Sequence, residues 1–299
     1  MIRVGTRASP LARAQADEVI GVLAGTSGRA PEEFVTVPIS TRGDRVTDQS
    51  IRALGGKGVF CTEIETALLL EDIDLAVHSF KDMPWQQPEG LVIDCVLPRV
   101  DVRDALVCTS IADIDDLPDR TRIGTSSLRR RCQLRFINPA FTIVETRGNL
   151  QTRISQCQQG DCDCLILAMA GLKRLGINAV SIHPIEIEQM LPAPAQGVIA
   201  VERRKDDNFM AAMLESVNDA VTFDCTRAER TVLARLGANC DVPVAAYARR
   251  EGNELVLIAQ MFDANERQVG VVSLNGHWGD PVGLGVKVSE QLLALRGLH

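Results

Sequence analysis

Aromatic residues are scarce, at 4% of the chain, with one tyrosine and two tryptophans. That leaves few flat surfaces on which bases could stack, which argues against single-stranded RNA as a ligand. The charge has the wrong sign for a general nucleic-acid binder as well: 32 Lys and Arg stand against 39 Asp and Glu, for a net charge of −7. No apolar run approaches the length of a membrane span. The opening Met1-Ile2-Arg3-Val4-Gly5 enters a strand pattern at once, with no apolar secretion segment, so the expected location is the cytoplasm. No P-loop is present, which removes support for nucleotide hydrolysis. Histidines number four, and Cys162 and Cys164 lie too close together for a zinc pair, so no metal site is expected. The nine cysteines are odd in number and scattered, which does not suit a disulfide framework. Most are read as small buried hydrophobes.

What is present is enough for real cores: 299 residues, 45% hydrophobic and 24% charged, suit a globular protein of two or three domains. The first two thirds alternate strand-like and helix-like segments. Strands are expected over 2–6, 33–41, 74–79, 122–125, 141–146 and 164–168. Helices are expected over 11–23, 61–70, 128–136 and 150–158. Ser9-Pro10 reads as an N-cap followed by proline at the first helical position. Such βα alternation predicts parallel sheets covered by helices. Pro98-Arg99-Val100-Asp101 marks one crossing between two units, and the segment 191–197 marks a second, after which a strand over 198–202 returns to the first sheet. The last eighty residues differ. A helix over 224–236, strands over 242–249, 254–262 and 268–274, and a closing helix over 282–295 predict an α+β unit with an antiparallel sheet.

The arginines fall at turns. Arg7 lies between a strand and the helix begun at Ser9; Arg129 and Arg130 open a helix behind Ser126-Ser127; Arg147 follows a strand, with Asn149 as the candidate N-cap. These are the carboxyl ends of expected parallel strands, where open α/β sheets bind ligands. Helix N-termini there add free N–H groups and a positive dipole end, and arginine forks suit carboxylates or phosphates. From Arg122 to Arg153 there are seven arginines and a single acid, Glu145. A solvated basic face is the plain alternative, and Arg131 and Arg135 are assigned to it.

Three further places could carry chemistry. Asp82, in His78-Ser79-Phe80-Lys81-Asp82-Met83-Pro84, stands at a strand end near the arginines, suited to acid–base work or to stabilising a cation. An aspartate before a turn is also an ordinary cap. His78 reads as a core histidine, and Lys81 as an anion contact. The polar stretch 43–60 reads as a lid, with Lys57 as a possible anion contact. Cys240 sits in a turn of small residues, Gly237-Ala238-Asn239-Cys240-Asp241, that leaves room for attachment. A buried free cysteine is the commoner reading of such a position.

Seven motifs, in order along the chain, resemble the hydroxymethylbilane synthase (porphobilinogen deaminase) family: Gly5-Thr6-Arg7-Ala8-Ser9-Pro10-Leu11-Ala12, Thr41-Arg42-Gly43-Asp44, Gly55-Gly56-Lys57-Gly58-Val59-Phe60, His78 to Pro84, Gly124-Thr125-Ser126-Ser127-Leu128-Arg129-Arg130, Arg147-Gly148-Asn149, and Ala170-Gly171-Leu172-Lys173-Arg174-Leu175-Gly176. The resemblance implies an α/β fold of three domains. Two are periplasmic-binding-protein-like lobes with largely parallel sheets, over residues 1–97 with 198–215 and over 103–191. The third is a small α+β domain over 220–299. It implies a dipyrromethane cofactor, one per chain, joined by a thioether to Cys240. Four porphobilinogen molecules would be added head to tail, each losing ammonia, and hydroxymethylbilane would then be released. By the same resemblance Asp82 is the catalytic residue. Lys81, Asp82, Ser127, Arg129, Arg130 and Arg147 contact the cofactor, while Arg7, Ser9, Arg147, Arg153, Arg174 and Lys57 contact substrate carboxylates. A monomer with no metal, nucleic-acid or membrane partner is implied.

Three positions depart from the family pattern. Ala238-Asn239 stand where glycines commonly precede the cofactor cysteine, Ala195-Gln196-Gly197 replaces Gly-Gln-Gly, and Phe80 takes a place often held by another apolar residue. None removes a group the chemistry needs. Two other readings use the same residues: a two-lobed binding protein for an anionic metabolite, and an RNA-binding protein using the 122–153 tract. The first is weakened by Asp82 and Cys240 at family positions, the second by net charge and the lack of aromatics.

Overall fold

The computed structural model describes residues 1–41, 43, 61–178, 180–237 and 243–297. The chain divides into two compact units, Met1–Val100 with Val198–Asp224, and Asp101–Gly197 with Cys225–His299.

The first unit is built on a five-stranded sheet. Its strands are β1 (Ile2–Arg7), β2 (Phe34–Ile39), β3 (Leu75–Ser79), β4 (Leu91–Val96) and β10 (Ile199–Arg204), in the order β2-β1-β3-β10-β4. β1 runs parallel to β2 and β3, whereas β10 runs antiparallel to both β3 and β4. The expected return of the chain to this sheet after residue 197 is thus made by an antiparallel strand. Helix α1 (Pro10–Ser27) covers one face, where Ala16, Val19 and Leu23 pack on Val4, Leu75, Val77, Ile199 and Val201. Helix α2 (Thr62–Leu69) covers the other through Ile64 and Leu68, against Ile73, Ala76 and Leu91. Helix α6 (Asn208–Glu215) adds Met210, Met213 and Leu214 to the α1 side.

The second unit holds two sheets. One has five strands, β5 (Asp104–Val107), β6 (Arg122–Gly124), β7 (Thr142–Val144), β8 (Cys164–Ala168) and β9 (Ile182–Pro184), in the order β7-β6-β8-β5-β9. Its pairings repeat the first sheet: β6 is parallel to β7 and β8, and β5 is antiparallel to β8 and β9. Helices α3 (Leu128–Ile137), α4 (Leu150–Gln158) and α5 (Met169–Arg174) follow β6, β7 and β8. Helix α7 (Ala220–Arg235) leads into the other sheet, an antiparallel β11 (Val244–Glu251), β12 (Glu254–Phe262) and β13 (Gln268–His277), closed by α8 (Pro281–Arg296). Its core is separate, with Ala228 and Val232 of α7 and Leu284, Val288 and Leu292 of α8 packed on Ala246, Leu255 and Leu257.

Two glycines set how closely each five-stranded sheet packs. A Cβ on Gly5 of β1 would stand 2.2 Å from Ile73 Cδ1, and one on Gly124 of β6 would stand 2.5 Å from Leu165 Cδ2 and 2.9 Å from Cys162 Sγ. Each is followed by a buried threonine, Thr6 and Thr125. Each strand then turns into a helix capped by serine: Ser9 accepts from Ala12 N at 3.3 Å, and Ser127 from Arg130 N at 3.4 Å. Asn149 caps α4 in the same way, accepting from Thr152 N at 2.9 Å. The caps at Ser9 and Asn149 fall where the sequence places them.

Of the eight described cysteines, seven are buried and Cys108 is half-buried. Burial pushes the thiols of Cys95, Cys132 and Cys164 up to about 12, as expected of inert core residues. Cys240 lies outside the described residues.

Candidate active site

In the first unit the carboxyl ends of β1 and β3 open into a pocket. Arg7, Ser9, Gln15, Cys61, His78, Ser79 and Asp82 line it. Its shape follows from the local sequence. Arg7 ends β1, Ser9 caps α1 with proline at the next position, and β3 stops in a short 3-10 turn, Phe80–Asp82, where Phe80 is buried and Asp82 is exposed. The buried Phe80 anchors the turn and leaves the Asp82 carboxylate at the rim. Ser79 Oγ donates to Gln15 Oε1 at 2.9 Å, tying the end of β3 to α1.

Behind this wall lies a polar cluster. His78 pairs across the ladder with Ala200, and Glu202 with Ala76, so His78 and Glu202 share one sheet face as diagonal neighbours. His78 Nε2 is 3.0 Å from Glu202 Oε2, with both side chains buried. The core reading of His78 holds in part: it is buried, yet it also lines the pocket. Glu65 of α2 approaches from above, and burial pushes its carboxyl above the usual range, with Glu202 adding to the shift against a hydrogen bond from the Cys61 thiol.

In the second unit the basic tract is resolved arginine by arginine. Arg129 and Arg130 were expected as open forks; both are buried and turned onto Asp104, itself fully buried. Arg129 Nη2 donates to Asp104 Oδ2 at 2.6 Å, and Arg130 donates to Asp104 Oδ1 from Nη2 at 2.7 Å and from Nε at 3.2 Å. Their remaining bonds go to carbonyls: Arg129 Nη1 to Leu191 O at 2.6 Å, and Arg130 Nη1 to Ile166 O at 2.8 Å. Gln196, a third residue, donates to Asp104 Oδ1 from Nε2 at 2.9 Å. Burial alone would raise the Asp104 pKa, but the two guanidiniums outweigh it and hold the carboxyl well below its ordinary value. Two arginines against one aspartate leave this buried cluster net positive, and Arg129 Nε is buried without a hydrogen-bond partner.

The other arginines divide. Arg122 pairs with Asp163 at 2.6 Å, and Arg131 and Arg135 both pair with Glu266. These three serve the fold, and the solvated-face reading of Arg131 and Arg135 needs only that one partner added. Arg147 stands half-buried at the turn after β7 and pairs with Glu145. Arg153 Nε donates to Gly148 O at 2.9 Å, and Arg174 Nη2 to Gly197 O at 3.3 Å. The local surplus of positive charge is therefore smaller in space than along the chain, since Asp104, Asp163 and Glu266 come from outside the tract.

Within the first unit the fold thus gathers Arg7, Ser9 and Asp82 at one pocket, with Lys81 in the same turn as Asp82. Within the second, Ser127, Arg129, Arg130, Arg147 and Arg153 fall on the turns after β6 and β7 or on the helices those turns open. Lys57 and Cys240 lie outside the described residues. The sequence reading missed Gln15, Glu202 and Asp104, and named Gln196 only as part of the 191–197 crossing. Of these, Asp104 left a signal, an acid opening the otherwise apolar run Asp104-Ala105-Leu106-Val107. Such an acid cannot be buried without cationic partners.

Chemically, this is an α/β protein whose strand ends offer cations and capped hydroxyls for carboxylates, with one exposed aspartate beside them. Comparison with known proteins narrows that class. Residues 2–212 match the description "Porphobilinogen deaminase, dipyromethane cofactor binding domain", and residues 223–294 match "Porphobilinogen deaminase, C-terminal domain". A porphobilinogen deaminase of Paracoccus denitrificans is 46% identical over 291 residues, covering 97% of this chain and 93% of the relative. One from Acidithiobacillus ferrooxidans is 42% identical over 293 residues, covering 98% and 94%. One from Roseiflexus is 42% identical over 291 residues, covering 97% and 95%. The chain belongs to the porphobilinogen deaminase family, a family of enzymes. Among solved structures, the Bordetella pertussis BvgS periplasmic VFT2 domain aligns at 13% identity with a TM-score of 0.43, covering 72% of this chain and 86% of that one.

The described residues fit a dipyrromethane. Such a group carries carboxylates and pyrrole N–H donors, so it needs cations, hydroxyl donors and one acceptor. Within the second unit the net-positive Asp104 cluster and the buried Thr146 hydroxyl are groups of the first two kinds, and within the first unit the exposed Asp82 carboxylate is a group of the third.

Proposed function

We propose that this chain is a hydroxymethylbilane synthase, condensing four porphobilinogen molecules head to tail and releasing the linear product by hydrolysis. Family membership over nearly the whole chain supports the activity, and the pocket that joins Arg7, Ser9 and Asp82 is the observation that carries the residue assignment. When bound, the dipyrromethane supplies the pyrrole carbon from which the chain grows, and Cys240 is its attachment point.

Each condensation breaks the C–N bond of the protonated aminomethyl arm, whose nitrogen leaves as ammonia, and the remaining methylene forms a C–C bond to the growing chain, whose pyrrole carbon then gives up a proton. Departure of ammonia spreads positive charge over the pyrrole ring. The Asp82 carboxylate accepts hydrogen bonds from pyrrole N–H and stabilises that charge, and it is placed to take up the released proton. Arg7 and Ser9 hold the carboxylates of the incoming substrate, and the positive end of α1 favours them further. Lys81, Ser127 and Arg147 bind carboxylates of the cofactor and of the lengthening chain, and Arg147, with Arg153, Arg174 and Lys57, also binds those of the incoming substrate. Arg129 and Arg130 act chiefly through the buried positive charge they keep beneath the Ser127 turn. We further read the chain as three domains, over 1–97 with 198–215, over 103–191 and over 220–299, supported by separate apolar cores. A cytoplasmic monomer completes the reading; among the described residues no helix is long and apolar enough to cross a membrane.

Intact-protein mass spectrometry of the native chain beside Cys240→Ser tests the proposal. The expected result is an adduct of two linked pyrroles on the native chain, absent from the variant. A native chain that stays unmodified after incubation with porphobilinogen rejects it.

A further inference from the structure

One acid lies inside the basic tract, and the fold sets it on the arginine of the β7–α4 turn. Glu145 Oε1 accepts from Arg147 Nε at 3.0 Å and also from Nη2 of the same guanidinium. The other acids that pair the tract come from distant segments and serve the core or the packing of a helix. Glu145 does neither. Its side chain is 59% exposed, against 27% for Arg147.

The geometry is that of a weak pair. Two N–H groups share a single carboxylate oxygen, where a strong arginine–carboxylate contact uses both oxygens in a fork. The neighbouring Thr146 hydroxyl is buried and makes no hydrogen bond, so the same turn also holds a donor with nothing to bind. A free carboxylate that offered two oxygens to the Nε–Nη2 edge would make the better contact, but it must first displace Glu145.

We propose that Glu145 is an internal competitor for Arg147, holding the guanidinium in place and raising the substrate concentration needed to load the turn. The proposal rests on the reading of Arg147 as a carboxylate-binding residue. It gives Glu145 a task that the fold does not demand: it orients the arginine between ligands, and it weakens binding so that each carboxylate can be exchanged as the chain lengthens. An exposed ion pair of this kind is worth about 0.2–1 kcal/mol, which converts to about a 1.4- to 5-fold effect on apparent affinity.

The test uses the holoenzyme carrying Glu145→Gln, with Asp161→Asn as a charge control. Asp161 is exposed in the same unit. Steady-state kinetics with porphobilinogen should give a KM lower by about 1.4- to 5-fold in Glu145→Gln, with kcat equal or reduced and the thermal midpoint unchanged. Asp161→Asn should leave KM where it is. A KM that is unchanged or higher in Glu145→Gln overturns the proposal, as does an equal fall in Asp161→Asn, which would reduce the effect to net charge. Arg147→Ala separates the two layers. If it raises KM while Glu145→Gln does nothing, only the competition is lost. If it leaves both KM and chain elongation unchanged, the reading of Arg147 falls and the competition with it.

Discussion

The two five-stranded sheets share one strand pattern, and each leads from a glycine and a buried threonine into a serine-capped helix, but they hold charge in opposite ways. The sheet of the first unit keeps its arginine and aspartate at the surface of a pocket, where Arg7 and Asp82 stand partly or fully exposed. That of the second unit takes two adjacent arginines inside and ties both to Asp104. The contrast shows that an arginine at a βα turn can stand open at a pocket or be buried against a counter-charge. Position in the sequence does not separate the two cases; the presence of a buried counter-charge does.

Asp82→Ala tests the exposed side of this contrast most severely. Losing a group that works only on the reacting atoms should cut kcat by about 100-fold or more, while the midpoint of chemical denaturation stays within error because the side chain is exposed. Turnover near the native rate would remove Asp82 from the mechanism. On the buried side, Asp104→Ala leaves two guanidiniums without their partner, and a loss of about 3–5 kcal/mol of stability is expected from denaturant titration. A loss under about 1 kcal/mol would mean that water or relaxation replaces the carboxylate, and that the cluster is looser than its bonds imply.

The sharpest comparison sets Arg130→Ala beside Arg147→Ala. The first should destabilise the protein by several kcal/mol, since it strips a buried pair and a bond to Ile166 O. The second should leave stability within about 0.5 kcal/mol yet stall elongation, seen by mass spectrometry as accumulated short intermediates. Equal stability losses in both would erase the distinction between the sheets.

Acid provides a smaller effect. Asp104 has its folded-state pKa lowered, so the stability it contributes is present above its unfolded value of about 4 and is lost as pH falls below that. Unfolding free energy should hold level from neutral pH to about 5 and decline below about 4, less steeply in Asp104→Asn. The smallest effect is expected at Ala195, whose φ of +59° lies in the left-handed region. Ala195→Gly relieves about 1 kcal/mol of backbone strain and gives back part of it in unfolded-state freedom. The thermal midpoint should rise by no more than a few degrees; a fall would show that the buried methyl matters more than the strain.

Much of this is legible in the sequence. The caps at Ser9 and Asn149 could be read because each uses a local hydrogen bond over three residues. The helices that follow could be read from their apolar spacing. Strands β4, β5 and β9 were not anticipated, nor was the antiparallel direction of β10, because strand pairing is settled by partners far along the chain. The same cause hid the fate of Arg129 and Arg130. Their partner Asp104 lies 25 residues away from Arg129, and a local count of charges cannot see it. Glu202 was invisible for that reason too, 124 residues from His78.

One buried carboxylate has a consequence for how the protein can be cut. Glu229 of α7, fully buried, accepts from Ala195 N at 2.6 Å and from Ala248 N at 2.7 Å, and Ala246 N donates to Pro192 O nearby at 3.1 Å. A gene fragment beginning at the C-terminal family boundary, residue 223, would carry Glu229 and β11 but leave the 191–197 segment behind. The carboxylate would lose its bond from Ala195 N, and β11 its bond to Pro192 O. The boundary that looks natural to a cloner therefore runs through a shared joint, and the C-terminal sheet should be moved between proteins only together with the segment that Glu229 holds.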